Sequence, residues 1–400
     1  MLKSSITRPT TARDVNHYNL NYDLIIIGAG IHGAAVANAA AHDGYRICVL
    51  EQYDDAALAT SSRSSKLIHG GLRYLESQQF KLVKECLAER ATLLKTAPSL
   101  VQLLPFYIPI YRHSKRPCWM ITSGLFIYRL LGGGRFKKVP PQQWKSLDGL
   151  NTDDLVCVYQ YFDAVTDDQQ LTTTILKQAV SKGAEFKTQT TVEHIQIENN
   201  HVEVYTSNQQ TLCSQLVINA SGPWINNILA TTQPTQTPLS LDLVQGTHVI
   251  IPRSLKAGVY YFEASDQRVI FAIPWQQHCL LGTTETVFDG NPEQVKPLAE
   301  EIDYLLSAWN QTFNDNLNSN DLMDSFAGLR VLPTSDKNAF KRSRDTLIHT
   351  DNSEHPHLIS IVGGKLTAHR ATAERVMDMI HRELPGHPRT DTRQLQLPND

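Results

Sequence analysis

The sequence predicts a two-domain α/β fold, of the α+β type, in which a Rossmann-like dinucleotide-binding domain with a β-meander insertion is joined to an antiparallel-sheet domain. Three observations predict it. A glycine-rich turn follows an apolar run near the start of the chain, and segments of alternating polarity follow residue 190. Several β-like runs separated by Gly, Pro, Asp and Gln then lie between 241 and 285.

The glycine-rich turn is the first element. The run 24–27 is typical of a buried parallel strand, and the stretch 34–41 is rich in helix-forming alanine. Between these two segments lie three glycines with the spacing G-x-G-x-x-G: Gly28, Gly30 and Gly33. Such glycines permit the turn, the approach of a pyrophosphate and the packing of helix on strand. The second strand ends on Glu51, whose carboxylate can bind ribose hydroxyls and would repel the 2′-phosphate of NADP. NAD and FAD are both left open here.

A Ser-, Gly- and cation-rich stretch from Thr60 to Tyr74 follows. It contains Arg63, Lys66, His69 and Arg73 among interleaved apolar residues. Hydroxyls, cations and permissive glycine backbone suit phosphate binding. We therefore expect a loop that lies over a cofactor and ends at a substrate anion.

The next two segments are helical or apolar. Residues 80–97 have the spacing of an amphipathic packing helix. Residues 112–138 contain seven Lys or Arg and no acidic residue, and enclose an aromatic-rich apolar stretch too short to span a bilayer. Two interpretations stay open for it: an in-plane membrane anchor, or a helix packed within the protein whose basic rim serves an anionic substrate.

The later segments favour FAD over NAD. A helix over 171–181 leads into alternating segments with Asn-Asn and Ser-Asn turns, typical of a small antiparallel meander, which ends on a strand and the turn Ala220-Ser221-Gly222. A simple NAD domain needs no such insertion. Near the end, 358–362 is a predicted strand, Gly363-Gly364 a turn and Lys365 the start of a helix whose N-terminus can face a flavin.

Composition excludes several classes of protein. The chain has 400 residues, a net charge of −3 and 41% hydrophobic content, which gives no bias toward nucleic acid. Six scattered cysteines favour reduced, mostly buried thiols in a cytoplasmic setting, and no metal site is predicted. Residues 1–21 are polar and lack a secretory signal, so we expect a flexible lead rather than a weak organellar presequence.

Several motifs together resemble the FAD-dependent glycerol-3-phosphate dehydrogenase family, within the D-amino-acid oxidase-like flavoproteins. They are SSRSSKLIHGGLRYLE, RPCWMITSGLFIYRLLG, LVINASGPW, LVQGTHVIIP, FAIPWQQHCLLGTTE, GLRVLP and SIVGGKLTAHR, spread from about residue 22 to about 380. The sequence departs from the family pattern at His32, Glu285 and His369. Relatives typically continue into a helical C-terminal region, so we expect a truncated form or a short relative.

The resemblance implies oxidation of sn-glycerol 3-phosphate to dihydroxyacetone phosphate, with a hydride passing to flavin N5 and electrons to quinone. It implies catalytic roles for His248, Arg330 and Lys365, with His248 as the first candidate base and Arg330 or Lys365 as alternatives that polarise the alcohol. The substrate contacts it implies are Arg73, Tyr74, His248, Arg330, Arg344 and Lys365.

The residues expected to bind FAD come from the glycine-rich turn, the Ser-rich loop, the meander and the later motifs described above. They are Gly28, Gly30, Ile31, His32, Gly33, Glu51, Thr60, Ser61, Ser64, Ser65, Lys66, Leu67, His69, Gly70, Gly71, Val192, Ala220, Ser221, Gly222, Trp224, Gly328, Lys365, Leu366 and Thr367.

Domain boundaries and partners complete the predictions. The FAD-binding domain is expected over 22–75, 155–228 and 323–385, the substrate-capping domain over 76–154 and 229–322, and a tail over 386–400. The resemblance also implies peripheral attachment to the inner membrane face through 112–138, and a homodimer is left open. Two other functions are kept: a flavin oxidase acting on another small anionic hydroxy or amino substrate, and a non-catalytic flavoprotein.

Overall fold

The computed structural model describes residues 20–334 and 345–398. The predicted lead 1–21 therefore lies almost entirely outside the described residues. The described helices are α1 Ile31–His42, α2 Phe80–Thr96, α3 Cys118–Tyr128, α4 Asp168–Ser181, α5 Ile225–Ala230, α6 Ala299–Phe313 and α7 His369–Glu383.

The strands form two sheets. The first contains β1 Tyr22–Ile27, β2 Ile47–Leu50, β7 Glu185–Lys187, β8 Val192–Ile197, β9 Val202–Thr206, β10 Thr211–Asn219, β11 Thr232–Gln233, β18 Leu347–Thr350 and β19 Leu358–Val362. The second contains β3 Leu67–Ile68, β4 Val101–Tyr111, β5 Lys137–Val139, β6 Leu155–Thr166, β12 Leu241–Ile251, β13 Val259–Glu263, β14 Val269–Trp275, β15 His278–Gly282, β16 Thr286–Phe288 and β17 Asp324–Pro333.

The first sheet has the parallel centre that the sequence predicts. β1 lies between β10 and β2 and runs parallel to both, and β10 also pairs in parallel with β19. Residues 23–27 are buried because α1, α4 and α7 cover the sheet, and the alanines of α1 let its axis come close to the strands. The meander β8–β9–β10 is antiparallel and extends the sheet on the other side of β10.

The second sheet is mainly antiparallel and follows the order β16-β12-β15-β14-β13-β4-β6-β3, with β17 beside β12 and β5 beside β6. Its outer face is covered by α6, where Trp309 and Phe313 stack with ring centroids 4.0 Å apart and enter the core. The predicted β-like runs between 241 and 285 all lie in this sheet. The two-domain α/β fold class is thereby confirmed.

Four strands lie in a different sheet from the one that the predicted boundaries suggest: β3, β6 and β17 lie in the second sheet, and β11 lies in the first. Residues 155–166 and 324–333, both expected with the FAD-binding segments, pair with β4 and β12 of the second sheet. The alternation of a strand shows which face is buried and does not show which strand it pairs with. Strand pairing therefore does not follow the predicted segments, while the domain boundaries themselves stay a prediction.

The prediction that the cysteines are all reduced is wrong for two of them. Cys118, at the start of α3, forms a disulfide with Cys157 on β6, with a Cα–Cα distance of 6.7 Å. The packing of α3 against β6 brings together two thiols that are 39 residues apart in sequence. Cys48, Cys86, Cys213 and Cys279 are free.

The segment 112–138 is divided by the fold. Arg116 is buried and paired with Glu76 and Glu263, so it is not part of an exposed basic rim. By contrast, Trp119, Phe126 and Leu130 are 71%, 53% and 70% exposed. Within the part of the chain that the structure describes, no helix combines the length and the apolar character needed to cross a bilayer.

Candidate active site

The turn between β1 and α1 forms one wall of a long cavity. Gly28 has a φ of +99°, and a Cβ atom there would lie 2.7 Å from the carbonyl oxygen of Ala220. Only glycine therefore fits this position. At Gly33 a Cβ atom would meet the carbonyl oxygen of Gly28, which explains how α1 can pack so close to the strand. The N-terminus of α1 faces the cavity and supplies partial positive charge for a phosphate.

Glu51 follows β2 and is tied to the same turn. Its Oε2 accepts a hydrogen bond from the backbone N of Ala29 at 2.8 Å, and its Oε1 accepts one from the N of Tyr53 at 3.2 Å. Burial raises the pKa of Glu51, while these backbone donors oppose the rise. The carboxylate lines the cavity at the expected ribose position.

The Ser-rich loop is held by Asp168, the first residue of α4. The N and Oγ of Ser64 both donate to Asp168 Oδ2, at 3.0 and 2.6 Å. Lys66 forms a buried ion pair with the same carboxylate, and its ammonium lies 4.5 Å from the ring centroid of Trp275. Lys66 is not among the residues that line the cavity, and its expected role as a cofactor ligand stays a prediction.

A cluster of charged side chains closes the other end of the cavity. Arg330 donates from Nη2 to the Oγ1 of Thr283 at 2.9 Å, and its Nη1 lies 3.6 Å from Glu285 Oε1. The Nη1 of Arg73 lies 3.9 Å from the same oxygen. Gly246, on the adjacent strand, leaves the space for the guanidinium, because a Cβ there would lie 2.6 Å from Arg330 Nη2.

Lys365 completes this cluster from the opposite sheet. Its Nζ lies 3.9 Å from the ring centroid of Tyr74 and 3.9 Å from the Sγ of Cys86. Burial raises the pKa of Cys86 to about 11 despite the neighbouring ammonium, so Lys365 contacts a neutral thiol. Lys365 is also one of the residues that line the cavity.

His248 lies beside the cation cluster. Its Nε2 shares a 2.9 Å hydrogen bond with the Oγ of Ser65, and its ring stacks on Phe326 with centroids 5.1 Å apart. Burial, with Arg330 and Lys66 nearby, lowers the pKa of His248 to about 3. The imidazole is therefore neutral at neutral pH.

The turn after β19 joins the two ends of the cavity. Gly364 has a φ of +104°, and a Cβ atom there would meet the ring of His32. Burial, followed by the influence of His369 and Arg375, lowers the pKa of His32 to about 4. Thr367 Oγ1 accepts a hydrogen bond from the N of His69 at 3.2 Å, and the His69 ring contacts Phe271.

Most of the expected site residues line this one cavity. They are Gly28, Gly30, Ile31, His32, Glu51, Thr60, Ser61, Ser64, Ser65, Leu67, His69, Gly71, Arg73, Tyr74, Val192, Ala220, Ser221, Gly222, Trp224, His248, Gly328, Arg330, Lys365, Leu366 and Thr367. Gly33 and Gly70 lie behind the wall, where Gly70 N donates to the hydroxyl of Tyr128 at 2.9 Å. Arg344 lies outside the described residues.

Sequence reasoning missed several lining residues: Tyr53, Tyr261, Phe271, Thr283 and Glu285. Glu285 had a signal, since it is one of the departures from the family pattern. Tyr261 and Phe271 looked like ordinary strand residues, and only the pairing of β13 with β14 places them together.

The cavity fits a dinucleotide. It runs without interruption from Glu51 past the glycine turn and Ala220 to the Gly363-Gly364 turn, and then to the cation cluster. Where the wall of the cavity comes close to another segment, a glycine leaves space because it has no Cβ. At Gly30, for example, a Cβ would lie 3.1 Å from Ser61 Oγ. Glu51, the glycine turn and the Lys365 turn would hold the adenosine, pyrophosphate and ring ends of FAD respectively.

Residues 23–370 match the family described as FAD dependent oxidoreductase. The chain is 36% identical over 376 residues to D-erythritol 1-phosphate dehydrogenase of Brucella abortus, covering 91% of this chain and 74% of the relative. It is 35% identical over 371 residues to aerobic glycerol-3-phosphate dehydrogenase of Escherichia coli, covering 90% and 73%.

Solved structures agree in fold. The FAD complex of the Bacillus halodurans glycerol-3-phosphate dehydrogenase superposes with a TM-score of 0.73 at 29% identity, covering 95% of this chain and 68% of the other. Glycine oxidase from Geobacillus kaustophilus has a TM-score of 0.71 at 18% identity, covering 95% and 99%, and supports the fold alone. The chain therefore belongs to the FAD-dependent oxidoreductases, in the glycerol-3-phosphate dehydrogenase branch, and FAD is its cofactor.

Proposed function

We propose that the chain oxidises the C2 hydroxyl of sn-glycerol 3-phosphate to the ketone of dihydroxyacetone phosphate. The single observation that carries this is a group of cations in the wall of the FAD cavity: Arg73 and Arg330 both lie within 4 Å of Glu285, and Arg73 and Lys365 both lie over the ring of Tyr74. A phosphorylated polyol fits such a site because it offers a dianion for the cations and hydroxyls for the surrounding polar groups. The names of the relatives support the same substrate class.

The arginines are proposed to bind the phosphate. The planar guanidinium can hold two phosphate oxygens at once, and each such charge-assisted bond is stronger than a neutral one. Arg330 is already oriented by Thr283 and Glu285, so little side-chain freedom is lost when the substrate binds. Arg344, expected to take part, stays a prediction.

His248 is the proposed proton acceptor for the C2 hydroxyl, while bound FAD supplies a hydride acceptor at N5. The nearby cations disfavour a second positive charge on the imidazole. A phosphate dianion paired with Arg330 reduces that repulsion, so substrate binding makes His248 a better base. Lys365 is proposed to orient the alcohol oxygen from the opposite wall.

The proposal is tested by adding sn-glycerol 3-phosphate to the anaerobic FAD-loaded protein. The flavin absorbance near 450 nm, a general property of oxidised flavin, should be lost and dihydroxyacetone phosphate should form in equal amount. Glycerol at the same concentration is the control and should leave the spectrum unchanged. A flavin that stays oxidised with the phosphate ester would contradict the proposal.

A second candidate substrate is D-erythritol 1-phosphate, favoured by the similarity to the Brucella abortus relative at 36% identity. It belongs to the same class and differs in the length of the polyol beyond the phosphate. Anaerobic flavin reduction rates with the two esters, measured side by side, decide between them. The better substrate should have the higher kcat/KM by about tenfold or more, the discrimination that one well-placed polar contact provides.

We also propose peripheral membrane contact, with quinone as electron acceptor. Trp119, Phe126 and Leu130 expose apolar side chains on α3 and the turn that follows it. The exposed cations of the same segment, 112–138, are Arg112, Lys115, Arg129, Arg135, Lys137 and Lys138. Apolar side chains between exposed cations are typical of a surface that inserts among anionic lipid headgroups.

Membrane contact is measured by cosedimentation with vesicles. Binding should be stronger to vesicles containing anionic lipid than to neutral ones, and Leu130→Ser should weaken it. Met323→Ser is the matched control, since Met323 is also exposed (56%) but lies away from the basic segment. Equal effects of the two substitutions would remove 112–138 from the proposed surface. Reduction of a soluble quinone by the substrate-reduced protein tests the acceptor.

A further inference from the structure

Glu285 is a carboxylate placed inside a cavity otherwise suited to anions. Its side chain is 6% exposed, and Oε1 lies 3.6 Å from Arg330 Nη1 and 3.9 Å from Arg73 Nη1. Glu285 lines the same cavity as Thr283 and His248. A carboxylate at this position weakens the attraction of the site for any dianion, which suggests that it binds one particular group of the substrate.

The orientation of the Glu285 side chain is set by hydrogen bonds from its two neighbours to a second carboxylate, that of Glu301. Thr284 and Thr286, on either side of it, donate to Glu301 Oε1 at 2.7 and 2.8 Å. Neighbouring side chains of an extended segment point to opposite faces, so Glu285 is turned toward the cavity. Gln245 and Thr247 of β12 both donate to Glu301 Oε2 at 2.6 Å, which joins this segment to the strand carrying His248.

The ionic environment sets the hydrogen-bonding character of Glu285. A carboxylate beside two guanidinium groups acts as an acceptor. It can receive a hydrogen bond from a substrate hydroxyl, whereas a substrate carboxylate at the same place would bring two negative charges together. A site built around one hydroxyl rejects analogues that lack it, because the buried polar group is left without its partner.

We infer that Glu285 is a specificity-determining residue that binds the free hydroxyl next to the reacting carbon and selects polyol phosphates over phosphorylated hydroxy acids. This rests on the proposed function, since it assigns Glu285 to the substrate of that site. Glu285 Oε1 lies within 4 Å of both guanidinium groups, so one short molecule can place its phosphate on Arg73 and Arg330 and its terminal hydroxyl on Glu285. In this assignment the two arginines bind the phosphate, and Glu285 binds the hydroxyl at the other terminus of the substrate.

Three ligands of equal configuration at the reacting carbon test this. They are sn-glycerol 3-phosphate, the propane-1,2-diol phosphate with methyl in place of the terminal CH₂OH, and L-glycerate 3-phosphate with a carboxylate there. Their affinities are measured by anaerobic calorimetry on reduced FAD-loaded protein, which binds the alcohols without oxidising them. The wild type should prefer hydroxyl over methyl, and hydroxyl over carboxylate, by about 10- to 100-fold each.

Glu285→Gln should reduce the discrimination against the carboxylate ligand by about tenfold or more, because the amide can donate to it. Glu285→Asp withdraws the carboxylate, so it should lower the hydroxyl-over-methyl preference while L-glycerate 3-phosphate stays weakly bound. Glu300→Gln is the control, an exposed residue beside Glu301, and should change none of the ratios.

Ratios in Glu285→Gln equal to those of the wild type would overturn the inference, as would an equal weakening of all three ligands. Should that variant fail to fold, an unchanged hydroxyl preference in Glu285→Asp would overturn it instead. These outcomes are distinct from failure of the proposed function. If sn-glycerol 3-phosphate binds without bleaching oxidised flavin, the proposed reaction is wrong while the affinity ratios still decide the role of Glu285.

Discussion

The two ends of the cavity are built in different ways. At the dinucleotide end the wall is mostly backbone: the turn at Gly28, the N-terminus of α1 and the strand end at Ala220. At the substrate end it is mostly charged side chain: Arg73, Arg330 and Lys365. The first end recognises a shape and a pyrophosphate, and the second recognises individual groups of a small molecule.

This difference teaches how the two tasks are separated in one molecule. Backbone donors at a helix N-terminus are fixed by the fold, so a change there alters the fold and the cofactor together. Guanidinium and carboxylate groups belong to side chains, so their substitution changes substrate binding while the strands that carry them keep their positions. Substitutions at the two ends should therefore give different phenotypes.

The largest effect is expected for Gly28→Ala. The alanine would need a φ of +99° and would place its Cβ 2.7 Å from Ala220 O, so we expect FAD affinity to fall by more than about 100-fold. Flavin content of the purified protein measures it. Gly134→Ala is the control, with a φ of +83° but nothing within 4 Å of the new Cβ, and should retain its FAD. Normal flavin content in Gly28→Ala would break the distinction between the two ends.

Arg330→Ala should separate substrate binding from cofactor binding. We expect the flavin spectrum to be preserved and KM for sn-glycerol 3-phosphate to rise by about 100-fold, the effect of losing a charge-assisted pair. Steady-state kinetics and absorbance measure the two properties. Arg393→Ala removes an exposed arginine outside the cavity and should leave both unchanged. Loss of FAD together with the KM change would place Arg330 in the scaffold.

A smaller effect is expected from acid, which acts on two neighbouring histidines, His32 and His369. Burial lowers the pKa of His32 and of His369 to about 4, below the value of about 6.5 in an unfolded chain. Their neutral folded forms are fully favourable above about pH 6.5. As the pH falls from there toward 4, the unfolded chain binds protons first, and stability is lost by up to about 1.4 kcal/mol per pH unit for each ring.

This pH dependence is measured by urea unfolding of the FAD-loaded protein at pH 7 and pH 5.5. His369→Gln removes one titrating ring, so its free energy of unfolding should fall less between the two pH values than that of the wild type. The exposed His355 offers a matched surface substitution, His355→Gln, which controls for the loss of a histidine ring as such. An equal fall in His369→Gln would show that the buried ring does not contribute.

The smallest effect is expected for Glu301→Gln, a positioning residue. In the wild type, burial would raise the pKa of Glu301, but hydrogen bonds from four side chains hold it below its ordinary value. The amide of Gln keeps part of the acceptor capacity but lacks the negative charge that these four donors stabilise. We expect KM for the substrate to rise by about 5- to 10-fold with little change in FAD content, within the energy of one weakened hydrogen bond. An unchanged KM would mean that Glu285 is held without Glu301.

The dinucleotide end was readable from the sequence because its parts are local. A strand, three glycines, a helix and Glu51 lie within residues 22–51, and their spacing alone predicts the turn. The substrate end was only partly readable. Arg330 was expected from its motif, but Glu285 was left without a role and the ion pair of Lys66 with Asp168 was not predicted, because neither pattern shows which way a side chain points.

The sequence by itself determined the fold class, the glycine turn, the meander and the FAD family, since these depend on local periodicity and motif. Only the tertiary structure decided that Asp168 takes Lys66 away from the cavity, that Cys118 meets Cys157, and that β6 and β17 join the second sheet. It also set Arg73, Arg330 and Glu285 around one point. Such contacts join residues far apart along the chain, and the energies of burial and pairing that select them exist only once the chain is folded.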